Sequence, residues 1–106
     1  MLAIVDYGVG NQGSVLNMYR RLGIEAARVA AAADIDAAER LVLPGIGAFD
    51  HCMRRLRDAG LEGPLRAAVA RGVPLLGICV GMQMLLEGSD EGRETGLGLI
   101  PGRAVR

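Results

Sequence analysis

The sequence predicts an α/β fold in which helices cover both faces of a parallel β-sheet, that is, a doubly wound sheet. Short apolar stretches without polar alternation recur along the 106 residues, as is typical of strands buried on both sides. Segments with helical spacing of apolar residues lie between them, which indicates βαβ units. Three of the apolar stretches run into glycine-rich segments. Because ligands bind at the carboxyl ends of the strands in such sheets, we expect a site at these segments.

The first two predicted strands flank one helix. The first strand covers Leu2–Val5 and leads into a glycine-rich turn, after which Ser14 is expected to cap the helix. The apolar stripe of this helix has the spacing i, i+3, i+4, i+7 and consists of Val15, Met18, Tyr19 and Leu22. Gly23 ends the helix, and a second strand is predicted over 24–29. No element is predicted between this strand and residue 41.

The rest of the chain repeats the alternation. A third strand, Leu41–Leu43, is cut off by Pro44, and a helix follows with the apolar stripe Phe49, Cys52, Met53 and Leu56. The opposite side of that helix is expected to face solvent and carries Asp50, Arg54, Arg55 and Arg57. A helix over 65–70, a fourth strand over Leu75–Ile78 and a helix beyond Cys79 complete the pattern. A new strand is expected to begin within 103–106, so the predicted sheet is truncated after its fourth strand.

Composition excludes several classes of protein. Twelve basic and twelve acidic residues give a formal net charge of +0, so no nucleic-acid binding through bulk positive charge is expected. Hydrophobic residues make up 51% of the chain, enough for a core. No apolar stretch approaches the ~20 residues that span a membrane, and the N-terminus does not resemble a signal peptide. Two cysteines do not form a disulfide framework, so we expect a reducing, cytoplasmic location.

Cys79 is the strongest candidate for a catalytic residue. It stands between Gly77 and Gly81 at a strand-to-helix junction, in the form of a nucleophile elbow, G-x-nucleophile-x-G. The sharp turn crowds the backbone, which is why glycines are needed on both sides. It also directs the first N–H groups of the helix at the sulfur, which favours the thiolate and can hold an oxyanion. The alternative is a small buried residue that ends a core strand.

Two further features accompany this cysteine. The segment Pro44-Gly45-Ile46-Gly47 ends the neighbouring strand, where the N–H of Ile46 or Gly47 could join that of Val80 in an oxyanion hole. An ordinary Pro-Gly turn is the alternative. Gln83 lies one helical turn beyond Cys79 on the same face, where its amide could bind a small polar substrate or simply face solvent.

A competing hypothesis is a Rossmann-type nucleotide-binding module. Gly8, Gly10 and Gly13 form a G-x-G-x-x-G pattern between a strand and a helix. That fingerprint also needs an acidic residue at the end of the second strand, but the first acid there, Asp34, comes several residues too late. A tight turn that lines a site or a partner surface is the preferred interpretation.

The remaining candidates are weaker. His51, the single histidine, is expected to lie on the surface, and nothing pairs it with Cys79. Cys52 shares an apolar stripe and is expected in the core. The two cysteines and the histidine lack metal-ligand spacing, so no metal site is predicted.

These motifs resemble the class I glutamine amidotransferases, and more closely the family of glutaminase subunits of imidazole glycerol phosphate synthase. The matching segments are DYGVGN, LPGIGAFDHCMRRL, GICVGMQMLLEGSDEG and GLGLIPG. They are spread over nearly the whole chain. The combination of DYG-x-GN with PG-x-GAF points to the histidine-biosynthesis family. Another class I amidotransferase remains the alternative.

The resemblance implies a flavodoxin-like fold and a glutaminase that needs no cofactor. Cys79 would attack the side-chain amide of glutamine, and the N–H groups of Val80 and of Ile46 or Gly47 would hold the oxyanion. Gln83, Gly45 and Gly47 would contact the substrate. Ammonia would pass to a cyclase subunit, with Asn11 at the junction of the heterodimer.

The resemblance also implies a missing base. The family supplies a histidine and a glutamate near its C-terminus, whereas no histidine follows Cys79 here. Residues 1–106 are therefore expected to form the N-terminal part of a single glutamine amidotransferase type 1 domain. We expect this chain by itself to be inactive and to expose an uncovered apolar face.

Overall fold

A computed structural model describes residues 1–90 and 92–104. Its strands are β1 (Leu2–Val5), β2 (Ala26–Val29), β3 (Arg40–Gly45), β4 (Leu75–Cys79), β5 (Gly88–Ser89) and β6 (Arg103–Ala104). Its helices are α1 (Gln12–Arg21), α2 (Ala32–Ala37), α3 (Phe49–Asp58), α4 (Glu62–Ala70) and α5 (Val80–Met84).

The main sheet of the described residues has four parallel strands in the order β2-β1-β3-β4. The chain runs outward from β1 to β2, then returns to the other side of β1 for β3 and β4. The order therefore reverses between β1 and β3, and open α/β sheets bind ligands at such a reversal. Their register brings Gly45, the last residue of β3, beside Cys79, the last residue of β4.

Helices pack on both faces of this sheet, so the prediction of a doubly wound α/β fold is confirmed. On one face, Ile4 and Val42 meet Leu16 and Tyr19 of α1. The other face carries the larger core, which includes Ile35 of α2 together with residues of α3 and α4: Cys52, Met53, Leu56, Leu65 and Ala68. This larger core supplies most of the buried apolar surface that stabilises the strands.

Helix α1 differs from its prediction in two respects. Asn11, not Ser14, is the N-cap, and its side-chain oxygen accepts the Ser14 N–H at 3.2 Å. Leu16 packs with Val15 and Tyr19 against the sheet, while the predicted stripe residues Met18 and Leu22 are exposed. Four apolar residues at helical spacing define a stripe, but the packing angle decides which edge of it is buried.

Four other elements depart from the sequence predictions. Helix α4, predicted over 65–70, begins three residues earlier at Glu62. Helix α2 was not predicted, because Ile35 is its single large apolar anchor and no stripe precedes or follows it. Strand β3 continues through Pro44 to Gly45, with Pro44 aligned to Ile78 in the register, although a proline lacks an N–H to donate. Strand β2 begins at Ala26, two residues later than predicted.

A second, two-stranded sheet forms in the last part of the chain. Gly88–Ser89 pairs in parallel with Arg103–Ala104. The strand expected within 103–106 thus begins at Arg103, but it joins this small sheet. Residues 105 and 106, which the prediction included, lie outside the described residues.

The polar side of α3 binds the segment that follows α5, so the expectation that it faces solvent is wrong for two residues. The Asp50 carboxylate accepts the backbone N–H groups of Arg93 at 2.9 Å and Glu94 at 2.8 Å, and these bonds hold the pKa of Asp50 below its usual value. Arg57 pairs with Glu94 at 3.1 Å and donates to the Thr95 carbonyl at 2.6 Å. Arg54 and Arg55 are exposed, as predicted.

An apolar part of the sheet is open beside β4. In the described part of the chain, β4 pairs only with β3. Leu76 is 53% exposed, and a groove of about 300 Å³ runs next to it between Tyr19, Val42 and Pro74. This agrees with the expected uncovered apolar face. None of the helices in residues 1–90 and 92–104 combines the length and apolar character that a membrane span requires.

Candidate active site

Cys79 lies in a tight turn between a strand and a helix. It ends β4 and is the N-cap of α5, with φ 57° and ψ −124°. Within the described residues it is the one non-glycine residue with a positive φ. Holding a side-chain-bearing residue in this conformation costs roughly 1–3 kcal/mol, and such strain concentrates at functional sites. The thiol is exposed at this turn, so Cys79 is not a buried strand terminus.

The glycines on either side of Cys79 allow this turn for a steric reason. A Cβ added to Gly77 would lie 2.6 Å from the carbonyl oxygen of Gly81 and 2.7 Å from the Cα of Met82. A Cβ on Gly81 would lie 2.9 Å from the carbonyl carbon of Leu43 and closer still to its oxygen. Real Cβ atoms essentially never approach other atoms this closely. Helix α5 can therefore pack directly on the backbones of β3 and β4 only because both positions lack side chains.

The segment Pro44–Gly47 lies next to Cys79. Gly45 aligns with Cys79 across the two strands, and a Cβ there would lie 2.9 Å from the Gly81 nitrogen. Gly47 has φ 80°, and a Cβ added to it would meet no other atom within 4 Å. Both Gly47 and Ile46 are exposed. The backbone at Ile46 and Gly47 is thus accessible to a ligand bound over the cysteine, whereas Pro44 and Gly45 are buried.

A cavity of about 110 Å³ opens beside the thiol. Its lining brings together three strand or helix ends and consists of Asn11, Ser14, Val15, Pro44, Gly45, Ile46, Ile78 and Cys79. Asn11, predicted at a partner junction, thus lies on the same cavity as the nucleophile candidate. Gln83 is half-buried on α5 but is not part of this lining. The roles predicted for Asn11 and Gln83 stay predictions.

The glycine-rich turn after β1 is packed against the protein. Gly8 and Gly10 have φ values of 84° and 100°. A Cβ on Gly8 would clash with the guanidinium of Arg55, and one on Gly10 would lie 3.1 Å from the Pro44 Cβ. The buried Gln12 side chain donates to the Val9 carbonyl at 2.6 Å and closes the turn on itself. Gly13 has open space around it, but β2 ends at Val29 and the first acidic residue after it, Asp34, lies in α2, so the end of β2 lacks the acidic residue that the dinucleotide fingerprint requires.

Two buried groups beneath the Pro44–Gly47 segment were not recognised as part of the site from the sequence. Tyr7 is buried, and its hydroxyl donates to the Pro44 carbonyl at 2.5 Å and lies 3.4 Å from the Met84 sulfur. Burial, reinforced by the neighbouring Cys52 thiol, raises the pKa of Tyr7 far above its usual value. Cys52 is in the core as predicted, but its thiol also donates to the Ile46 carbonyl, with 3.3 Å between sulfur and oxygen.

A signal for Tyr7 existed in the sequence. Tyr7 lies two residues beyond a fully apolar strand, and the hydroxyl of a tyrosine that buries its ring usually finds a hydrogen-bond partner. Nothing comparable marks Cys52, because its hydrogen bond depends on the path of the backbone that precedes α3. His51 is exposed on α3, as predicted. In the described part of the chain, no three His, Cys, Asp or Glu side chains are grouped so that they could hold a metal ion.

Comparison with known proteins agrees with this geometry. The family model for glutamine amidotransferase class-I matches residues 3–94. The chain belongs to the class I glutamine amidotransferases. It is 50% identical over 106 residues to "Imidazole glycerol phosphate synthase subunit HisH" of Symbiobacterium thermophilum, covering 99% of this chain and 50% of that protein. A relative of the same name in Bdellovibrio bacteriovorus is 49% identical over 104 residues, covering 97% of this chain and 51% of that protein.

A solved structure shows the same fold. A chain described as "Crystal structure of glutamine amidotransferase" superimposes with a TM-score of 0.77 and 26% sequence identity, covering 92% of this chain and 52% of that one. This amidotransferase chain therefore spans about half the length of the curated relatives it matches and about half of that solved chain.

Proposed function

We propose that this chain carries the nucleophile of a glutaminase, and that the glutaminase is a subunit of imidazole glycerol phosphate synthase in histidine biosynthesis. The observation that carries the proposal is Cys79 held in a left-handed turn, exposed, beside the bare backbone of Gly45. The family membership supports glutamine as the substrate. The names of the relatives in Symbiobacterium and Bdellovibrio support the assignment to this synthase. A cytoplasmic location is part of the proposal, because two free cysteines suit a reducing compartment.

In the proposed reaction, the Cys79 thiolate attacks the side-chain amide carbon of glutamine. The carbonyl oxygen becomes an oxyanion, which accepts hydrogen bonds from the N–H of Val80 and from Ile46 or Gly47. Collapse of this intermediate breaks the C–N bond, and ammonia leaves with a proton supplied by a general acid. Water then attacks the thioester through a second oxyanion, which releases glutamate and regenerates the thiol.

The other predicted site residues have supporting roles in this proposal. Gln83, Gly45 and Gly47 contact the glutamine. Asn11 faces a cyclase subunit, the partner to which ammonia would pass. No cofactor takes part, because attack, expulsion of ammonia and hydrolysis need only a nucleophile, a proton carrier and water.

The proton carrier is not supplied by the residues around Cys79. No histidine follows Cys79 in the sequence, and His51 lies exposed on α3, a helix that covers the sheet. We therefore expect the 106-residue chain assayed alone to show no glutamine turnover. A base from the part of the relatives that this chain does not cover would be required.

A chimera tests the proposal. Residues 1–106 would be joined to the part of the Symbiobacterium relative that this chain does not cover; the two proteins are 50% identical over 106 residues. We expect the chimera to release ammonia from glutamine and the Cys79→Ala chimera to lose at least about a thousandfold in kcat. The matched control is His51→Ala, an exposed substitution that should leave the rate unchanged.

The outcomes separate the parts of the proposal. A Cys79→Ala chimera as active as its parent would overturn the assignment of the nucleophile. Turnover that rises when the cyclase subunit of the same relative is added supports the synthase. A glutaminase indifferent to that cyclase would instead indicate a class I amidotransferase of another pathway.

A further inference from the structure

Helix α5, the helix of the elbow, depends on a later segment of the chain for the hydrogen bonds at its C-terminal end. The helix has only five residues, and a helix this short is not stable by itself in water. Residues 92–100, which we call the brace, bind the carbonyls that its last turn leaves free. The Leu97 N–H donates to the Met84 carbonyl at 2.8 Å, and the Leu99 N–H donates to the Leu85 carbonyl at 2.9 Å. Leu97 is fully buried in the larger core.

The brace lies directly against the backbone at the end of α5. A Cβ added to Gly96 would overlap the carbonyl oxygen of Leu86 and lie 3.2 Å from that of Met84. The Gly96 N–H donates to the Glu87 carbonyl at 2.8 Å, and the Gly98 N–H donates to the Leu86 carbonyl at 3.0 Å. This close approach leaves no space for a side chain between the two backbones. A displacement of the brace therefore displaces the end of α5.

The beginning of the brace is fixed to α3 by charged side chains. The Asp50 carboxylate accepts the backbone N–H groups of Arg93 at 2.9 Å and Glu94 at 2.8 Å. About two helical turns further along α3, Arg57 pairs with the Glu94 carboxylate at 3.1 Å and donates to the Thr95 carbonyl at 2.6 Å. Hydrogen bonds to or from a charged group are stronger than those between neutral groups. Helix α3 thus holds the brace, and the brace holds α5.

This series of contacts ends at Cys79, the residue that precedes α5. Its φ of 57° costs energy and persists only where the surrounding structure enforces it. Gly77 and Gly81 permit the turn by removing clashes, but a missing Cβ supplies no contact that would hold it. The buried side chains of Met84 and Leu85 hold α5 in part. The brace adds the hydrogen bonds that fix the end of the helix.

We infer that Asp50 and Arg57 are positioning residues for the nucleophile, because through the brace they hold α5 and so keep Cys79 in its left-handed turn. The inference rests on the proposed function, since the position of the thiol matters for turnover only if Cys79 reacts. Each of the two side chains acts through the groups of the brace that it binds.

Hydrogen exchange of the 106-residue chain tests whether α3 holds α5 through the brace. Asp50→Ala removes both acceptor oxygens. In this variant we expect about tenfold faster exchange at the Leu97 and Leu99 amides and at the Leu86 amide, whose N–H donates within the end of α5. The Ile4 amide of β1 should change by less than about twofold, because a local opening leaves the central strand paired.

Turnover by the chimera described above tests the effect on the nucleophile. We expect kcat to fall about tenfold in Asp50→Ala and in Arg57→Met, because a misplaced nucleophile reacts slowly. Asp50→Asn keeps one acceptor oxygen and should recover most of the loss. The matched control is Asp58→Ala, which removes an exposed acid from the last turn of the same helix and should leave kcat unchanged. Far-UV circular dichroism gives the folded fraction by which each rate is normalised.

The contrary results are distinct. Faster exchange confined to the Arg93 and Glu94 amides, or equally faster at Ile4, would overturn the positioning role. An unchanged kcat in Asp50→Ala and Arg57→Met would also overturn it and leave the proposed function in place. A Cys79→Ala chimera as active as its parent would overturn this inference and the proposed function together. Asp50→Asn, the mildest change, supplies the same comparisons if Asp50→Ala does not fold.

Discussion

Replacing Gly81 with alanine is expected to lower the free energy of unfolding by about 2–4 kcal/mol. The new Cβ would lie 2.9 Å from the carbonyl carbon of Leu43 and closer to its oxygen. Leu43 belongs to β3, which is paired on both sides by β1 and β4, so its carbonyl cannot retreat. Helix α5 has to withdraw instead, by about 1 Å for an ordinary contact distance.

The size of this loss in unfolding free energy follows from the packing contacts that α5 gives up when it withdraws. Met84 and Leu85 are both buried beneath α5. Burying such a side chain contributes about 1.5–3 kcal/mol, and a gap of about 1 Å forfeits a quarter to a half of the contact energy. The two residues together lose about 1–3 kcal/mol, and residual overlap at the new methyl group adds about 1 kcal/mol.

Urea unfolding followed by far-UV circular dichroism measures this effect, with Gly13→Ala as the matched control. Gly13 lies in α1, where an added Cβ meets nothing within 4 Å. Alanine there should stabilise the chain by about 0.4–1 kcal/mol, because it restricts the unfolded state and favours the helix. If Gly81→Ala unfolds at the same urea concentration as Gly13→Ala, the close approach of α5 to β3 is refuted.

Three further predictions concern single residues. In urea unfolding, the Cys79→Gly variant should be more stable than the Cys79→Ala variant by about 0.5–2 kcal/mol. Glycine relieves the strain at φ 57°, although it costs some chain entropy. Equal stability of the two variants would show that the turn is unstrained. The raised pKa of Tyr7 means that only the unfolded state ionises just above the usual value of 10.0, so stability is fully present below about pH 10 and falls as the pH rises further. The free energy of unfolding of the Tyr7→Phe variant should therefore fall less than that of the wild type between about pH 8 and about pH 11. Equal losses in the variant and the wild type would argue against a raised pKa of Tyr7. The lowered pKa of Asp50 means that its stabilisation is present above the unfolded value of 3.8 and is lost as the pH falls through the folded value. Because the Asp50 carboxylate accepts the N–H groups of Arg93 and Glu94, Asp50→Asn should speed hydrogen exchange at these two amides at neutral pH. Unchanged protection of both amides would show that the carboxylate does not hold them.

Most of the main sheet could be predicted from the sequence because its strands carry strong local signals. Leu2–Val5 was predicted with its observed bounds, since four apolar residues in a row suit a strand buried on both faces. Helix α2 could not be predicted, because a short alanine-rich segment with one large apolar residue has no readable periodicity. Asp50 and Arg57 were expected to face solvent because a polar helix side usually does. Only the path of a segment some forty residues later brings partners to them.

In the candidate site, the elbow could be predicted from the sequence, because its requirements are local. A nucleophile in a sharp strand-to-helix turn needs glycines two residues before and two residues after it. The sequence shows this spacing directly in Gly77, Cys79 and Gly81. The groups that surround the elbow could not be predicted, because they come together only when the sheet and helices pack. The register of β3 against β4 places Gly45 beside Cys79, and the buried Tyr7 hydroxyl and Cys52 thiol donate to the carbonyls of Pro44 and Ile46. Such contacts join residues that are distant in sequence or belong to different elements, so their geometry exists only after the sheet and its helices have packed.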